Sequence, residues 1–281
     1  MLGATLCEQF FSEYNVFATG NSDINADISF KYLKFDLYSE SYVDLISWSE
    51  PDIIIHCAAI TDGNFCSDNS EKAFEINSFS IQRLLEATSE ETKIIYISSD
   101  AVFPTGLHLA KETDIVLPDN TYGKSKELGE FLLLNSNRNF NIIRTTIVGV
   151  NINKGRIGFV EWILNSIKNK KEISLFEDVV FTPISIWDLA EELKFIINNE
   201  INDKILHISG SEIFTKYKFG IELTIALNLP TDKINKGFIS DFKERVKRCS
   251  DQSLDTTMYQ DKYKRKLPNL KDTVQSIKEN I

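Results

Sequence analysis

The sequence predicts an α/β protein, a doubly wound parallel sheet with a smaller C-terminal lobe. Short runs such as "DIIIHC" and "KIIYIS" are apolar on both faces, which is typical of parallel strands that helices cover on both sides. Amphipathic stretches such as "SEKAFEINSFSIQRLLEAT" lie between these runs, and this alternation of strand and helix favours a doubly wound sheet. After Val148 the alternation loosens, which predicts the separate lobe.

The individual elements follow from the same periodicities. Strands are expected over residues 15–18, 32–37, 52–57, 93–97 and 141–144, and helices over 8–14, 42–49, 71–88 and 123–134. The opening Leu2-Gly3-Ala4 is predicted to be a tight turn. Residues 1–146 then form the first domain and residues 147–281 mainly the second lobe. A segment at about 184–210 returns to the first domain, because "KILHISG" has the pattern of a strand.

Composition excludes several classes of function. The 281 residues can bury a sizeable core, and the net charge of −10 argues against general binding to nucleic acid or anionic membranes. The four cysteines and three histidines lack zinc-ligand spacing, so no metal site is predicted. The longest apolar run, residues 53–60, is too short to span a bilayer, and no signal-peptide pattern is visible. We therefore expect a cytoplasmic protein.

One motif suggests chemistry. Tyr122 and Lys126 stand four residues apart in "YGKSKELGE", so both side chains share one face of the predicted helix. Chance alone gives about one such pair in a chain of this composition. The preceding strand, however, ends in "ISSD", which brings Ser99 to the carboxyl end of a parallel strand, where doubly wound sheets bind ligands. A phenol, a cation and a hydroxyl together are what the reduction of a carbonyl group requires.

In this setting the chain resembles the extended short-chain dehydrogenase/reductases, specifically the dTDP-4-dehydrorhamnose reductase branch. "PDIIIHCAAIT", "ISSDAVFPTG", "YGKSKELGE", "IIRTTIVG", "FTPISIWDLA" and "RCSDQSLDT" resemble family segments in the family's order, and Asn77 falls at a family asparagine. The resemblance implies a Rossmann-type first domain that binds NADPH or NADH and a second lobe that binds a nucleotide sugar. It also implies that Ser99, Tyr122 and Lys126 are catalytic.

The same resemblance assigns the binding residues. At the cofactor it places Leu2, Gly3, Asp36, Leu37, Ala58, Ala59, Ile60, Tyr122 and Lys126. At the substrate it places Thr61, Ser99, Asp100, Ile147 and Arg248. "ATGNSD" has neither an acidic nor a basic residue where cofactor choice is usually determined, so NADH and NADPH both remain open.

The first residues resemble the end of the family's G-x-x-G-x-x-G loop. Met1-Leu2-Gly3 then makes Gly3 the third glycine, and the first strand with two glycines would precede residue 1. We expect the natural start to lie roughly ten to twenty residues upstream, about one strand and a turn. A truncated, inactive paralogue is the alternative.

Departures from the family pattern leave the substrate open. Ala101 replaces a tyrosine, Ile147 stands where a tryptophan is frequent, and Pro104, Gly63 and Cys249 also differ. A different 4-keto sugar nucleotide is therefore as good a candidate as dTDP-4-dehydrorhamnose. Two other functions stay open as well: an epimerase or dehydratase of the same fold, and a non-catalytic regulatory subunit such as the partner of methionine adenosyltransferase. The sequence does not determine the oligomeric state, and a homodimer is one candidate.

Overall fold

The computed structural model describes residues 1–23, 28–152, 157–241 and 249–281. In chain order the strands are β1 Phe17–Gly20, β2 Lys31–Lys34, β3 Ile53–His56, β4 Lys93–Ile97, β5 Phe140–Arg144, β6 Ile147–Val148, β7 Ile173–Phe176, β8 Val180–Phe181, β9 Ile184–Ser185, β10 Ile205–His207, β11 Phe214–Thr215, β12 Ile234–Gly237 and β13 Asp251–Gln252. The α-helices are α1 Leu2–Phe10, α2 Tyr42–Ser49, α3 Gly63–Asp68, α4 Ser70–Phe74, α5 Ser80–Ala87, α6 Thr121–Leu134, α7 Phe159–Lys168, α8 Ile186–Asn198, α9 Lys216–Ala226, α10 Thr257–Tyr263 and α11 Leu270–Glu279. A π-helical turn spans Glu75–Phe79, and 3-10 turns span Asp100–Val102 and Ile239–Asp241.

Parallel strands form the centre of the first half of the chain. Four of them pair side by side in the order β10-β5-β4-β3, and every pairing is parallel. β1 and β2 form a second parallel pair and bond to no other strand among the described residues. The strand β10 comes from the second half of the chain and completes the far side of this sheet. These pairings confirm the predicted parallel α/β fold.

Both faces of the four-stranded sheet are covered, which explains why its strands are apolar throughout. Ile95 and Ile143 pack with Leu6 of α1 on one face, where α8 also lies. The neighbouring residues Ile94 and Ile142 point to the opposite face, since side chains alternate along a strand. There they pack against α2, α5 and α6. The sheet is therefore doubly wound.

Part of the second half of the chain surrounds a second hydrophobic cluster. Its strands make three short sheets, in which β7 pairs with β12, β8 pairs with β11 and β13, and β6 pairs with β9. Helices α7, α9 and α11 pack on these strands around Phe181, Phe219 and Leu223, all fully buried. None of the helices that the structure describes is long and apolar enough to cross a lipid bilayer.

Three predictions about turns and helices were wrong, and two strands have other bounds than predicted: β1 spans Phe17–Gly20 instead of 15–18, and β2 spans Lys31–Lys34 instead of 32–37. Leu2-Gly3-Ala4 is not a turn but the beginning of α1, which ends at Phe10 instead of continuing to residue 14. Leu2, Leu6 and Phe10 stand four residues apart and form the buried stripe of that helix, a spacing that the sequence reading missed. The helix expected over residues 71–88 is interrupted by the π-helical turn Glu75–Phe79, which holds the buried Asn77. The Asn77 side chain, which lies in this turn, bonds to Ile60 and Ser125.

Candidate active site

Ser99 is fixed at the carboxyl end of β4. It is buried and caps the 3-10 turn that follows, its Oγ atom accepting a hydrogen bond from the Ala101 backbone nitrogen at 3.1 Å. The same hydroxyl donates to Asp100 Oδ1 at 2.8 Å. The backbone of the turn therefore holds the serine side chain at the edge where parallel sheets bind ligands.

Two glycines let α6 approach this strand end. The helix begins after Asn120, whose side chain accepts a hydrogen bond from the Gly123 backbone nitrogen at 2.9 Å. A Cβ atom on Gly123 would lie 2.1 Å from the Ala101 carbonyl oxygen, and one on Gly129 would lie 2.4 Å from the Tyr96 hydroxyl oxygen. Only residues without a side chain allow this contact. It brings Tyr122 and Lys126, which α6 carries, to the end of β4.

The Tyr122 hydroxyl interacts with the strand end. Burial raises the pKa of this hydroxyl well above its usual value, the Ser99 hydroxyl opposes that rise, and the Asp100 carboxyl and the Cys66 thiol add to it. The serine and the tyrosine of the predicted triad are thus close enough to influence one another. Lys126 is not among the groups that act on Tyr122 in this structure, so its effect on the Tyr122 pKa stays a prediction.

Lys126 is a buried cation. Its side chain is 1 % exposed, and its Nζ atom lies 3.8 Å from the centre of the Tyr96 ring, within the range of a cation–π contact. Burial lowers the pKa of Lys126 to about 7, while Glu130 and Cys57 oppose that fall. The amine therefore changes its charge near neutral pH, which is a frequent property of lysines at functional sites.

Asn77 connects the turn after β3 to α6. Its side-chain amide accepts from the Ile60 nitrogen at 2.8 Å, donates to the Ile60 oxygen at 2.9 Å, and donates to Ser125 Oγ at 2.9 Å. Its backbone oxygen accepts a hydrogen bond from the Tyr96 hydroxyl at 2.7 Å. The turn that holds the predicted cofactor residues Ala58, Ala59 and Ile60 is thereby fixed relative to the helix of Tyr122.

The remaining predicted cofactor residues lie after parallel strands or against them. Leu2 is buried under the sheet, and the position of a Cβ atom on Gly3 is 3.5 Å from the Cβ atom of Cys57, the residue after β3. Asp36 and Leu37 follow β2. Asp36 is exposed and accepts hydrogen bonds from the next turn, and the Leu37 carbonyl accepts a bond from Arg83. No direct contact joins this pair to Ser99 among the described hydrogen bonds, so their role stays a prediction.

The residues predicted to bind the substrate differ in their burial. Asp100 is buried next to Ser99, and burial raises the pKa of its carboxyl, although Ser99 and Lys216 partly offset the rise. Thr61 is exposed after β3, and Ile147 is half-buried in β6, paired with Ile184 of β9. Arg248 lies outside the described residues.

Sequence reasoning missed Tyr96 and Gly129 as parts of this site. A glycine inside a helix is unfavourable, so Gly129 in "YGKSKELGE" was a signal of close packing. A tyrosine within the apolar run "KIIYIS" needs a partner for its hydroxyl when buried, and here that partner is the Asn77 carbonyl. Both signals were in the sequence, but neither says which surface the residue meets.

The whole chain, residues 1–281, matches the family model described as the RmlD substrate binding domain. The chain belongs to this family. The spore coat polysaccharide biosynthesis protein SpsK of Bacillus subtilis is 32% identical over 184 residues, which cover 65% of this chain and 63% of that protein's length. The dTDP-4-dehydrorhamnose reductase of Aggregatibacter actinomycetemcomitans is 28% identical over 252 residues, 83% of each chain.

Other proteins that are similar to this RmlD-family chain have different described roles. Methionine adenosyltransferase 2 subunit beta of Xenopus tropicalis is 27% identical over 241 residues, 83% of this chain and 71% of that protein. Among solved structures, dTDP-4-dehydrorhamnose reductase from Bacillus anthracis, in complex with NADP, superposes with a TM-score of 0.83 over 99% of this chain and 97% of that one. At 22% identity that likeness shows the fold alone. The predicted family is confirmed.

Proposed function

We propose that the chain is an NADPH- or NADH-dependent reductase of a 4-keto nucleotide sugar, of the dTDP-4-dehydrorhamnose reductase type. The observation that supports it best is the placement of the Ser99 hydroxyl beside Tyr122, with a buried Lys126 one helical turn away. These groups meet at the carboxyl end of β4, the edge where parallel sheets bind their ligands.

The residues around this edge fit a dinucleotide cofactor. Gly3, at the beginning of α1, packs against the residue that follows β3, so a helix N-terminus and the turn of Ala58 to Ile60 adjoin one another. The first turn of a helix offers backbone N–H groups to a phosphate. The buried Thr145 hydroxyl has no hydrogen-bond partner among the described residues, and the Thr145 carbonyl accepts a bond from the Asp100 nitrogen at 3.4 Å. An unpaired polar atom next to Asp100 suits a polar ligand.

The chain's own residues supply the proton and stabilise the charge. The bound cofactor would supply a hydride to the keto carbon. Tyr122 would donate its phenolic proton to the oxygen of that carbon. The Ser99 hydroxyl would turn from Asp100 and donate its hydrogen bond to the same oxygen as negative charge develops there. Lys126, when protonated, would lower the pKa of Tyr122 and bind the ribose next to the nicotinamide.

Replacing Tyr122 with phenylalanine tests this function. The variant should fold, and its kcat for consumption of NADPH or NADH with a dTDP-4-keto sugar should fall about a hundredfold or more, because a general acid is lost. Tyr14→Phe is the matched control, since the Tyr14 hydroxyl bonds to Asn198 on an exposed surface. A Tyr122→Phe variant with a rate near that of the parent chain contradicts the assignment.

The same assay separates the alternatives. An epimerase or dehydratase returns the hydride to the sugar and consumes no cofactor overall. The relationship to methionine adenosyltransferase 2 subunit beta favours a regulatory subunit as a second candidate, and calorimetry that shows cofactor binding without turnover would support it. Parallel assays with other 4-keto sugars determine the substrate. We place the reaction in the cytoplasm, with a monomer or a homodimer as the active form.

A further inference from the structure

A buried carboxylate stands one helical turn beyond Lys126. The Glu130 side chain is 2% exposed and accepts a hydrogen bond from Ser98 Oγ at 2.5 Å. Arg144 binds it with two nitrogens: Nε lies 3.1 and 3.2 Å from the two carboxylate oxygens, and Nη2 lies 2.6 Å from Oε2. The carboxylate thus has three hydrogen-bond donors inside the protein.

These contacts join the segments that hold the proposed catalytic groups. Ser98 immediately precedes Ser99 at the end of β4, and Glu130 lies on the same face of α6 as Lys126, four residues later. Arg144 is the last residue of β5, and its guanidinium lies 4.9 Å from the ring of Phe103. One carboxylate therefore fastens the strand of Ser99, the helix of Lys126 and the end of the neighbouring strand.

We propose that Glu130 is a positioning residue of the reaction. Its carboxylate, held by Ser98 and Arg144, fixes Ser99 relative to Lys126 and supplies the buried negative charge one turn from the Lys126 ammonium. The roles of Ser99 and Lys126 in this statement rest on the proposed function.

Among the titratable groups around Lys126, Glu130 contributes most to keeping the lysine protonated. From β3 and the turn after it come His56, whose pKa burial lowers to about 3, and the Cys57 thiol, whose pKa burial raises to about 12. From β4 comes Tyr96, whose hydroxyl pKa burial raises far above its usual value, and α6 itself carries Tyr122, whose pKa is raised in the same way. These four groups are uncharged near pH 7. Of the groups that oppose the fall of the Lys126 pKa among the described residues, the Glu130 carboxylate is the larger.

A buried ion pair is by itself weak evidence of a contribution to stability. Two buried charges lose hydration, and apolar residues of similar volume in their place often leave a protein equally or more stable. An effect on the charge state of Lys126 is a role for the carboxylate in addition to its bonds to Ser98 and Arg144.

The test is a titration of Lys126 in the absence of substrate and cofactor. The chain is labelled with ¹³C-lysine, and the Cε resonance of Lys126 is assigned by its loss in Lys126→Met. In Glu130→Gln the Lys126 pKa should fall by about one unit, since a neighbouring negative charge is removed while Arg144 remains. Glu127→Gln is the matched control: Glu127 lies on the same helix, half-buried, and is not among the groups that change the Lys126 pKa.

A second variant serves as the test if the first does not fold. If Glu130→Gln does not fold, the double variant Glu130→Met with Arg144→Met replaces the pair with apolar side chains. The Lys126 pKa should again fall, because of the two partners only Glu130 is among the groups that act on Lys126. A Lys126 pKa equal to that of the parent chain in a folded variant overturns the proposal. An effect of Glu127→Gln as large as that of Glu130→Gln overturns it as well.

The pH dependence of kcat should change in the same direction as the Lys126 pKa. Turnover needs the protonated amine, so the alkaline limb of kcat against pH should move to lower pH in Glu130→Gln, and kcat at pH 7 should fall about fivefold. A purely structural role would lower kcat at every pH without moving the limb. If the chain proves not to be a reductase, the titration still tests whether Glu130 raises the Lys126 pKa. If it is a reductase and the Lys126 pKa does not move, the inference about Glu130 alone is wrong.

Discussion

Replacing Lys126 with methionine should make the folded chain more stable at neutral and acidic pH. The amine is 1 % exposed, and burial lowers its pKa from an ordinary 10.5 to about 7. Methionine has a similar length and no charge, and its thioether also packs favourably on the Tyr96 ring. The substitution removes the penalty for holding a proton on a buried amine.

The two pKa values give the magnitude and the sign. Each pKa unit corresponds to about 1.4 kcal/mol, so the full penalty is on the order of 5 kcal/mol below pH 7, where Lys126 is protonated in both states. Between pH 7 and 10.5 the unfolded chain holds a proton that the folded chain has lost, so the stability of the parent chain rises with pH. The lost cation–π contact with Tyr96 offsets about 2 kcal/mol. We expect a net gain of about 2–3 kcal/mol at pH 6, which disappears towards pH 10.

The assay is urea unfolding of the parent chain and the variant at several pH values from 6 to 10. The control is Lys124→Met, an exposed lysine two residues earlier on the same helix, which should change the free energy of unfolding by less than about 0.5 kcal/mol. The difference between Lys126→Met and the parent should shrink as the pH rises. A variant that is less stable than the parent at pH 6, or a difference that does not depend on pH, refutes the reasoning.

Two further substitutions test the contacts that bring α6 to the sheet. Gly129→Ala should lower the free energy of unfolding by about 2 kcal/mol, because its Cβ atom would lie 2.4 Å from the hydroxyl oxygen of Tyr96; Gly63→Ala, with no atom within 4 Å, is the control and should have almost no effect. Asn77→Ala should cost about 1–3 kcal/mol, since it leaves the nitrogen and oxygen of Ile60 without their partner. Urea unfolding measures both, and an unchanged midpoint in either variant would show that the contact does not hold α6 in place.

The fold could be predicted from the sequence because its signals are local. The strand β4 and the helix α2 have the predicted bounds, since each is set by an uninterrupted apolar run or a regular stripe between polar residues. The interruption of the helix at Glu75–Phe79 could not be predicted in this way. It coincides with the bonds of Asn77 to Ile60 and Ser125, residues 17 and 48 positions away in the chain.

The same distinction between local signals and contacts across the chain applies to the candidate site. Ser99, Tyr122 and Lys126 could be proposed as site residues from the motif, because their spacing and their place after a strand are properties of the sequence. The partners that determine their chemistry could not be named. Tyr96 lies under Lys126, and Glu130 binds Arg144, only because two elements pack together. A residue type in a sequence indicates what a side chain can do, whereas its pKa depends on what it is buried against.

The energetics of Lys126 also bear on the choice between a reductase and a regulatory subunit. Asn77, Tyr96 and Gly129 form contacts that hold the fold together, so a subunit that only binds a partner would need them as much as an enzyme would. Lys126 is different, because its buried charge opposes folding by several kcal/mol near neutral pH. Most single substitutions destabilise a protein, and a residue whose removal should stabilise it is typical of a site where activity is gained at the expense of stability. The buried amine therefore favours a catalytic role for this chain.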